Sequence, residues 1–144
     1  MVDAMISRVR LRDLARLGRS RTRSEGLTVV DAMNRTEEAR IARTESVFRH
    51  VNERIAETVE QFEMDETLFV CECADAGCHH RVEVPLETYE EVRENPTRFI
   101  IADGHDEAGF ERVVSKRRGF TIIEKLTRRL RTMVRQSDPR AKTT

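Results

Sequence analysis

Apolar and polar positions repeat along this chain with two different periods. From Asn34 the run NRTEEARIARTESVFRHVNERIAETVEQFE sets Ile41, Phe48, Val51, Ile55, Val59 and Phe62 at intervals of three, four or seven. That spacing predicts one apolar stripe on a long helix, laid against a sheet. Asn34 and Thr36 are its candidate N-caps, with Glu37 and Glu38 in the first turn, where a carboxylate favours the helix dipole. The charges between the apolar positions, including Glu45, Arg49, Glu53 and Arg54, are expected on a solvated face. TLFVCEC then alternates with period two, Leu68 and Val70 on one side and Phe69, Cys71 and Cys73 on the other. The chain turns at ADAG and returns through RVEV, with Val82 and Val84 on one face, which predicts a hairpin carrying the cysteines at its tip. PLETYEEVREN reads as a short helix that starts near Pro85, aligns Leu86, Tyr89 and Val92, and stops at Asn95–Pro96. TRFIIA reads as a strand, and FERVVSK, RRG and FTIIEK as a second hairpin. LTRRLRTMVRQ predicts a terminal helix with Leu126, Leu130, Met133 and Val134 to one side. Together these elements predict an α+β domain: a long N-terminal helix on a small, mainly antiparallel sheet of two hairpins plus one short strand, closed by a basic helix.

Charge divides the chain in three. The formal net charge is zero, yet residues 1–33 hold seven arginines against four acids, residues 34–124 hold 12 basic and 21 acidic residues, and residues 125–144 hold seven basic residues against Asp138. The expected organisation is therefore an Arg-rich, flexible extension (1–33), an acidic metal-binding domain (34–124) and a basic amphipathic helix and tail (125–144). The arginines of the extension overlap the character of a transit peptide, which Asp3 and Asp13 weaken. In the basic end, Arg128, Arg129, Arg131 and Arg135 offer contacts to an acidic protein groove or, without sequence selectivity, to nucleic acid. The alternative is that the apolar stripe packs on the domain itself while the arginines complement the acidic body. No run of 18 apolar residues exists, so no membrane span is expected.

Apolar residues make up 38% and charged residues 36% of the chain, which predicts a thin core in need of a staple. The three cysteines are an odd number with no hydrophobic signal segment before them, so a reducing, cytoplasmic setting is expected rather than a disulfide framework. All three lie in FVCECADAGCHH, spaced C-x-C-x4-C. Three unrelated thiols would not be expected to cluster amid Asp75, Gly77, His79 and His80, and a C-x-C redox pair leaves Cys78 without a role. Zinc prefers tetrahedral thiolate and imidazole ligands, whose sulfurs lie about 3.8 Å apart, whereas alternate strand residues are about 6.6–6.8 Å apart. The strand must therefore curl at Cys71, with Asp75 bracing the turn and Gly77 free to adopt φ > 0. His79, His80 and His105 are the candidates for a fourth ligand. His105, in the ADGHD loop, would tie the two hairpins together, while His79 is too close in sequence to Cys78 to chelate easily. His80 at i+2 remains feasible.

The positions Cys71, Cys73, Cys78, Tyr89, Glu90, Val92, Arg93, Pro96, Arg98, Phe99, Gly104 and His105 resemble the pattern of a family of small uncharacterised actinobacterial proteins with a C-x-C-x4-C cluster and a downstream Gly-His turn. The resemblance covers roughly residues 34–125 and departs at Asp103, where that family usually has Pro, and at TIIEK. It implies His105 as a recurring member of the constellation, hence a metal set of Cys71, Cys73, Cys78 and His105, and brings no activity with it. The spacing C-x-C-x4-C is also similar to the cysteine cluster that follows the catalytic domain of SET methyltransferases, a domain absent here.

Three thiolates and one imidazole fill a tetrahedron and leave no place for an activated water. No Gly-rich phosphate loop, G-x-S-x-G or H-E-x-x-H occurs. The expected function is a small non-enzymatic zinc-binding interaction or regulatory module. The alternatives are a metal- or thiol-dependent enzyme using His105 or Cys78, and a non-specific nucleic-acid-binding protein working through its basic ends. Asp103, Asp106 and Glu107 flank His105, and one of them is expected to accept a hydrogen bond from its ring.

Overall fold

Helical backbone extends well beyond the predicted stripe. A computed structural model describes the backbone of residues 3–64 and 67–143, and the side chains of 29–64 and 67–141. The elements are α1 (Asp3–Phe62), β1 (Leu68–Val70), β2 (Arg81–Glu83), α2 (Leu86–Arg93), β3 (Arg98–Ile101), β4 (Glu111–Arg117), β5 (Phe120–Lys125) and α3 (Arg128–Gln136), followed by a 3-10 turn at Pro139–Thr143. This is the α+β class that the pattern predicts. No described helix is long and apolar enough to cross a membrane.

The chain divides into two compact units, Met1–Glu37 and Glu38–Thr144. In the first, Arg35 pairs with Asp31 one helical turn earlier at 2.6 Å. Thr36 donates its Oγ1 hydroxyl to the Ala32 carbonyl at 3.0 Å, the i−4 bond of a threonine inside a helix. Asn34 and Thr36 are therefore not N-caps, because the helix passes through them. The expectation of a flexible extension at 1–33 falls largely on side chains outside the described residues.

In the second unit the buried face of α1 differs from the predicted stripe. Ile41 and Val59 are buried, but Val51 is 42% and Phe62 67% exposed, and the burial passes instead to Glu38, Ala42, Glu45, Arg49, Asn52 and Ala56. These positions also repeat with helical period. They win because four of them, Glu38, Glu45, Arg49 and Asn52, have charged or hydrogen-bonding partners elsewhere in this unit. The prediction that Glu45 and Arg49 lie on a solvated face is overturned for the same reason.

Two separate antiparallel sheets replace the single sheet. One is the β1–β2 hairpin, with Phe69 opposite Val82, and the other has the order β3-β5-β4. The tight turn between β4 and β5 is carried by Gly119 at φ +91°, a conformation that suits a residue without Cβ. β5 lies between its two neighbours and is buried along its whole length. The core has two parts. Phe69, Val82, Tyr89, Val92 and Ile100 gather on the α2 side, whereas Ile41, Cys71, Cys73, Phe99, Leu130 and Val134 gather around the cysteines and α3.

α3 starts later than predicted, because Thr127 caps it: its Oγ1 accepts the Leu130 N–H at 3.2 Å and donates to Glu38 at 2.6 Å. Leu126 thus precedes the helix and is 42% exposed instead of joining the stripe. The C-terminal turn is fastened by ions. Arg93 is buried between Glu53 (Nε, 2.6 Å) and the Asp138 carboxylate, and Arg140 reaches Glu53 at 2.8 Å and Glu90 at 2.9 Å.

Candidate metal centre

The curl at the end of β1 has a visible cause. Cys71 still belongs to the β1–β2 ladder, its N–H donating to His80 at 3.0 Å, but the next residue, Glu72, donates to the Ile100 carbonyl at 2.9 Å. Over one residue the chain leaves the first sheet and joins the edge of the second. Beyond it, Asp75 closes the turn: its side chain accepts the Gly77 N–H at 2.9 Å and its carbonyl the Cys78 N–H at 3.0 Å. Gly77 does not adopt positive φ, contrary to expectation. The Asp75 side chain makes the turn instead, and a Cβ on Gly77 would stand 3.4 Å from its Oδ1.

His105 arrives from the loop after β3. Its N–H donates to Ala102 at 3.1 Å across a turn that has Gly104 at φ +80°, the φ > 0 that a turn of type II places at its third residue. The same loop aims the Ala102 N–H at Cys71 Sγ, at 3.1 Å. His105 Nδ1 comes to 3.6 Å from both Cys71 Sγ and Cys78 Sγ. Donor atoms of Cys71, Cys73, Cys78 and His105 all lie within 4.8 Å of one another, a spread that suits the shell of one tetrahedral ion. These four side chains can hold a metal ion.

Of the other candidates, His80 stands near the group, its Nδ1 3.7 Å from Cys78 Sγ and its ring edge-on to His105 with centroids 4.6 Å apart. It is not among the converging four, and neither is His79, which is exposed. Among the described residues no carboxylate bonds the His105 ring. Asp103 instead accepts from the Thr121 hydroxyl at 3.3 Å, and the loop is held by backbone bonds rather than by its acids. That expectation is corrected.

Three sulfurs this close cannot ionise independently. The Cys71 thiol donating to Cys73 draws the Cys73 pKa down to about 5, while that shared proton and burial push Cys71 far up. Burial and the neighbouring Cys73 sulfur raise Cys78. A cation among them would offset this repulsion.

Sequence patterning missed the groups that support the centre. Glu72, the middle residue of C-x-C, is fully buried. Its Oε1 accepts from Arg49 Nε (3.4 Å) and Asn52 Nδ2 (3.1 Å), and its Oε2 from Arg49 Nη2 (3.1 Å) and the Ile100 N–H (3.0 Å). Both carboxylate oxygens thus have their lone pairs engaged. Arg49 also donates to the Pro96 carbonyl at 3.1 Å and to that of Arg98, and it stacks 3.6 Å over the Phe99 ring. Asn52 bonds Val70 through both N–H and C=O, at 2.8 and 2.9 Å. The available signal was one acid inside the apolar run LFVCEC, where an unpaired charge is not tolerated.

A second buried group braces the His105 loop. Lys125 is enclosed by Glu45 and Glu111, and the other Glu111 oxygen accepts the Glu107 N–H at 2.8 Å. Burial, partly offset by Lys125, raises the Glu45 pKa well above the usual carboxylate range. No protein-family model, curated protein or solved structure matches the chain.

Proposed function

We propose that this chain is a non-enzymatic interaction or regulatory module in which zinc, held by Cys71, Cys73, Cys78 and His105, serves the structure. The observation that carries the reading is the convergence of four donors within 4.8 Å, a complete tetrahedral set of the kind structural zinc uses. Bound zinc would supply a cross-link between the β1–β2 hairpin and the loop after β3. The Ala102 N–H on Cys71 supports the reading, because a backbone donor stabilises a ligating thiolate. The thiols belong to a reducing compartment, and we place the protein in the cytoplasm on that ground. The likeness to the small actinobacterial C-x-C-x4-C proteins is part of the same proposal.

A surface recess of about 480 Å³ lined by Asp75, Gly77, Cys78, His79, His80 and His105 lies beside the four donors. It favours, as the second reading, a metal- or thiol-dependent enzyme working through His105 or Cys78. Elemental analysis of the purified protein, followed by cobalt substitution, separates the two. One tightly held zinc per chain and a four-coordinate, thiolate-rich cobalt spectrum are expected. A five-coordinate spectrum that responds to added anions would favour the enzyme, and absence of metal would overturn both metal readings.

The partner is proposed to be a protein with an acidic groove rather than nucleic acid. Arg129 faces Glu38 at 3.7 Å and Arg131 donates to the Lys125 carbonyl at 2.8 Å, so two of the four arginines already have intramolecular partners. Arg128 and Arg135 are exposed. Charge reversal at both should abolish any binding to an acidic polymer at low salt.

A further inference from the structure

We infer that Glu72 is the positioning residue of the metal centre, holding its two halves in register; the inference rests on the zinc reading above. The centre is assembled from two pieces of chain: the tip of the β1–β2 hairpin supplies three sulfurs, and the loop after β3 supplies the imidazole. Between them the backbone makes a single sheet-like bond, from the Glu72 N–H to the Ile100 carbonyl at 2.9 Å. The partner bond that a sheet ladder would return, from the Ile100 N–H, goes to the Glu72 carboxylate at 3.0 Å. One side chain thus replaces a missing strand. It fixes Ile100, and two residues further on the Ala102 N–H meets Cys71 Sγ at 3.1 Å. The turn starting at Ala102 then delivers His105.

Glu72 is itself held from above. Arg49 and Asn52 from α1 saturate its oxygens, and Asn52 also grips Val70 in both directions at 2.8 and 2.9 Å. The two cysteines on either side of Glu72 face the other way, since side chains alternate along extended backbone. An anchored Glu72 therefore sets where both thiolates point. This gives the buried charge a role that core packing alone does not require, because a buried ion pair is commonly replaceable by apolar residues of similar volume without loss of stability.

That replaceability supplies the test. The pair Arg49→Met/Glu72→Leu removes the charges together and should fold, but it leaves the Ile100 N–H without an acceptor. Zinc affinity, measured by chelator competition in folded protein, should fall by about 10–100-fold, the usual effect of losing a group that orients a metal ligand. The cobalt charge-transfer bands should shift or broaden in parallel. The pair Arg49→Met/Glu72→Gln keeps an amide oxygen for Ile100 and should recover most of the affinity and the spectrum. Val92→Ala, which trims the α2 part of the core and touches none of the Glu72 bonds, should lower stability without moving either readout. Wild-type affinity and spectrum in the folded Leu pair would overturn the inference. If the Leu pair does not fold, the Gln pair decides: a large loss of affinity there, with the acceptor present, overturns it. Wild-type protein that takes up no zinc would instead defeat the zinc reading, before any variant is compared.

Discussion

Replacing His105 with alanine should destabilise the protein far more when zinc is bound than when it is absent. In the loaded protein the centre closes the chain between Cys71 and His105, which are 34 positions apart. Treated as a cross-link on the unfolded chain, closure of that length is worth about 3.8 kcal/mol at 25 °C. The alanine variant keeps the short closure between Cys71 and Cys78, so the expected loss is somewhat smaller, about 3 kcal/mol. For a domain near this size that corresponds to a fall in Tm of roughly 12–20 °C. The measurement is thermal and urea unfolding of wild type and His105→Ala at equal free zinc, repeated in excess chelator. In chelator the difference between the two proteins should shrink to about 1 kcal/mol or less, the ordinary effect of trimming a half-buried side chain. An equal loss with and without metal would show that His105 matters by packing alone. No loss in zinc would remove it from the ligand set, and a larger effect of His79→Ala or His80→Ala on bound metal would reassign the fourth ligand.

Cys73→Ala should lose the metal and the amide protection of both hairpins while much of the α1 helical signal survives; circular dichroism and hydrogen exchange report the two separately. Asp138→Ala should cost about 3–5 kcal/mol, because it leaves the buried Arg93 guanidinium short of a partner, and urea unfolding checks this. Burial opposes ionisation of Asp138 and Glu53, but the Arg93 and Arg140 bonds outweigh it and hold both pKa values below their usual range. Their contribution is therefore complete above the unfolded carboxylate range, near pH 4, and is lost as pH falls through the lowered folded values; Asp138→Asn should flatten that acid limb. Glu45 has the opposite sign: its raised folded pKa means stability complete below about pH 4.5 and declining as pH rises. Stability of Glu45→Gln measured between pH 5 and 8 should lack that decline, and an unchanged slope would place its origin elsewhere.

Strand and hairpin positions were legible in the sequence because period-two alternation and turn residues are local signals, and Val82, Val84 and Phe69 are buried as that alternation requires. The convergence of Cys71, Cys73, Cys78 and His105 was legible from clustering and from the reach of His105. The buried face of α1 was not. Two sets of positions on that helix repeat with the same period, and only partners distant in sequence, Glu72 and Lys125, decide that Glu45, Arg49 and Asn52 go inward while Val51 and Phe62 stay out. The start of α1 was missed at Thr36 because a hydroxyl that caps a helix and one that bonds back within it look alike in sequence. The split into two sheets follows from the crossing at Glu72, which no periodicity announces.

The division of the core decides what an optical experiment on this protein can see. The chain contains one tyrosine and no tryptophan, and Tyr89 is stacked on Phe69 at 4.3 Å in the α2 part of the core. Leu130 and Val134 of α3 pack instead with Cys71 and Cys73. The β1–β2 hairpin carries both Phe69 and the sulfurs, so tyrosine emission should change when chelation melts that hairpin, whereas release of the basic helix is a separate event. A probe placed on the exposed Arg135 position would record that event, and the interval between the two signals would measure how independently the two halves melt.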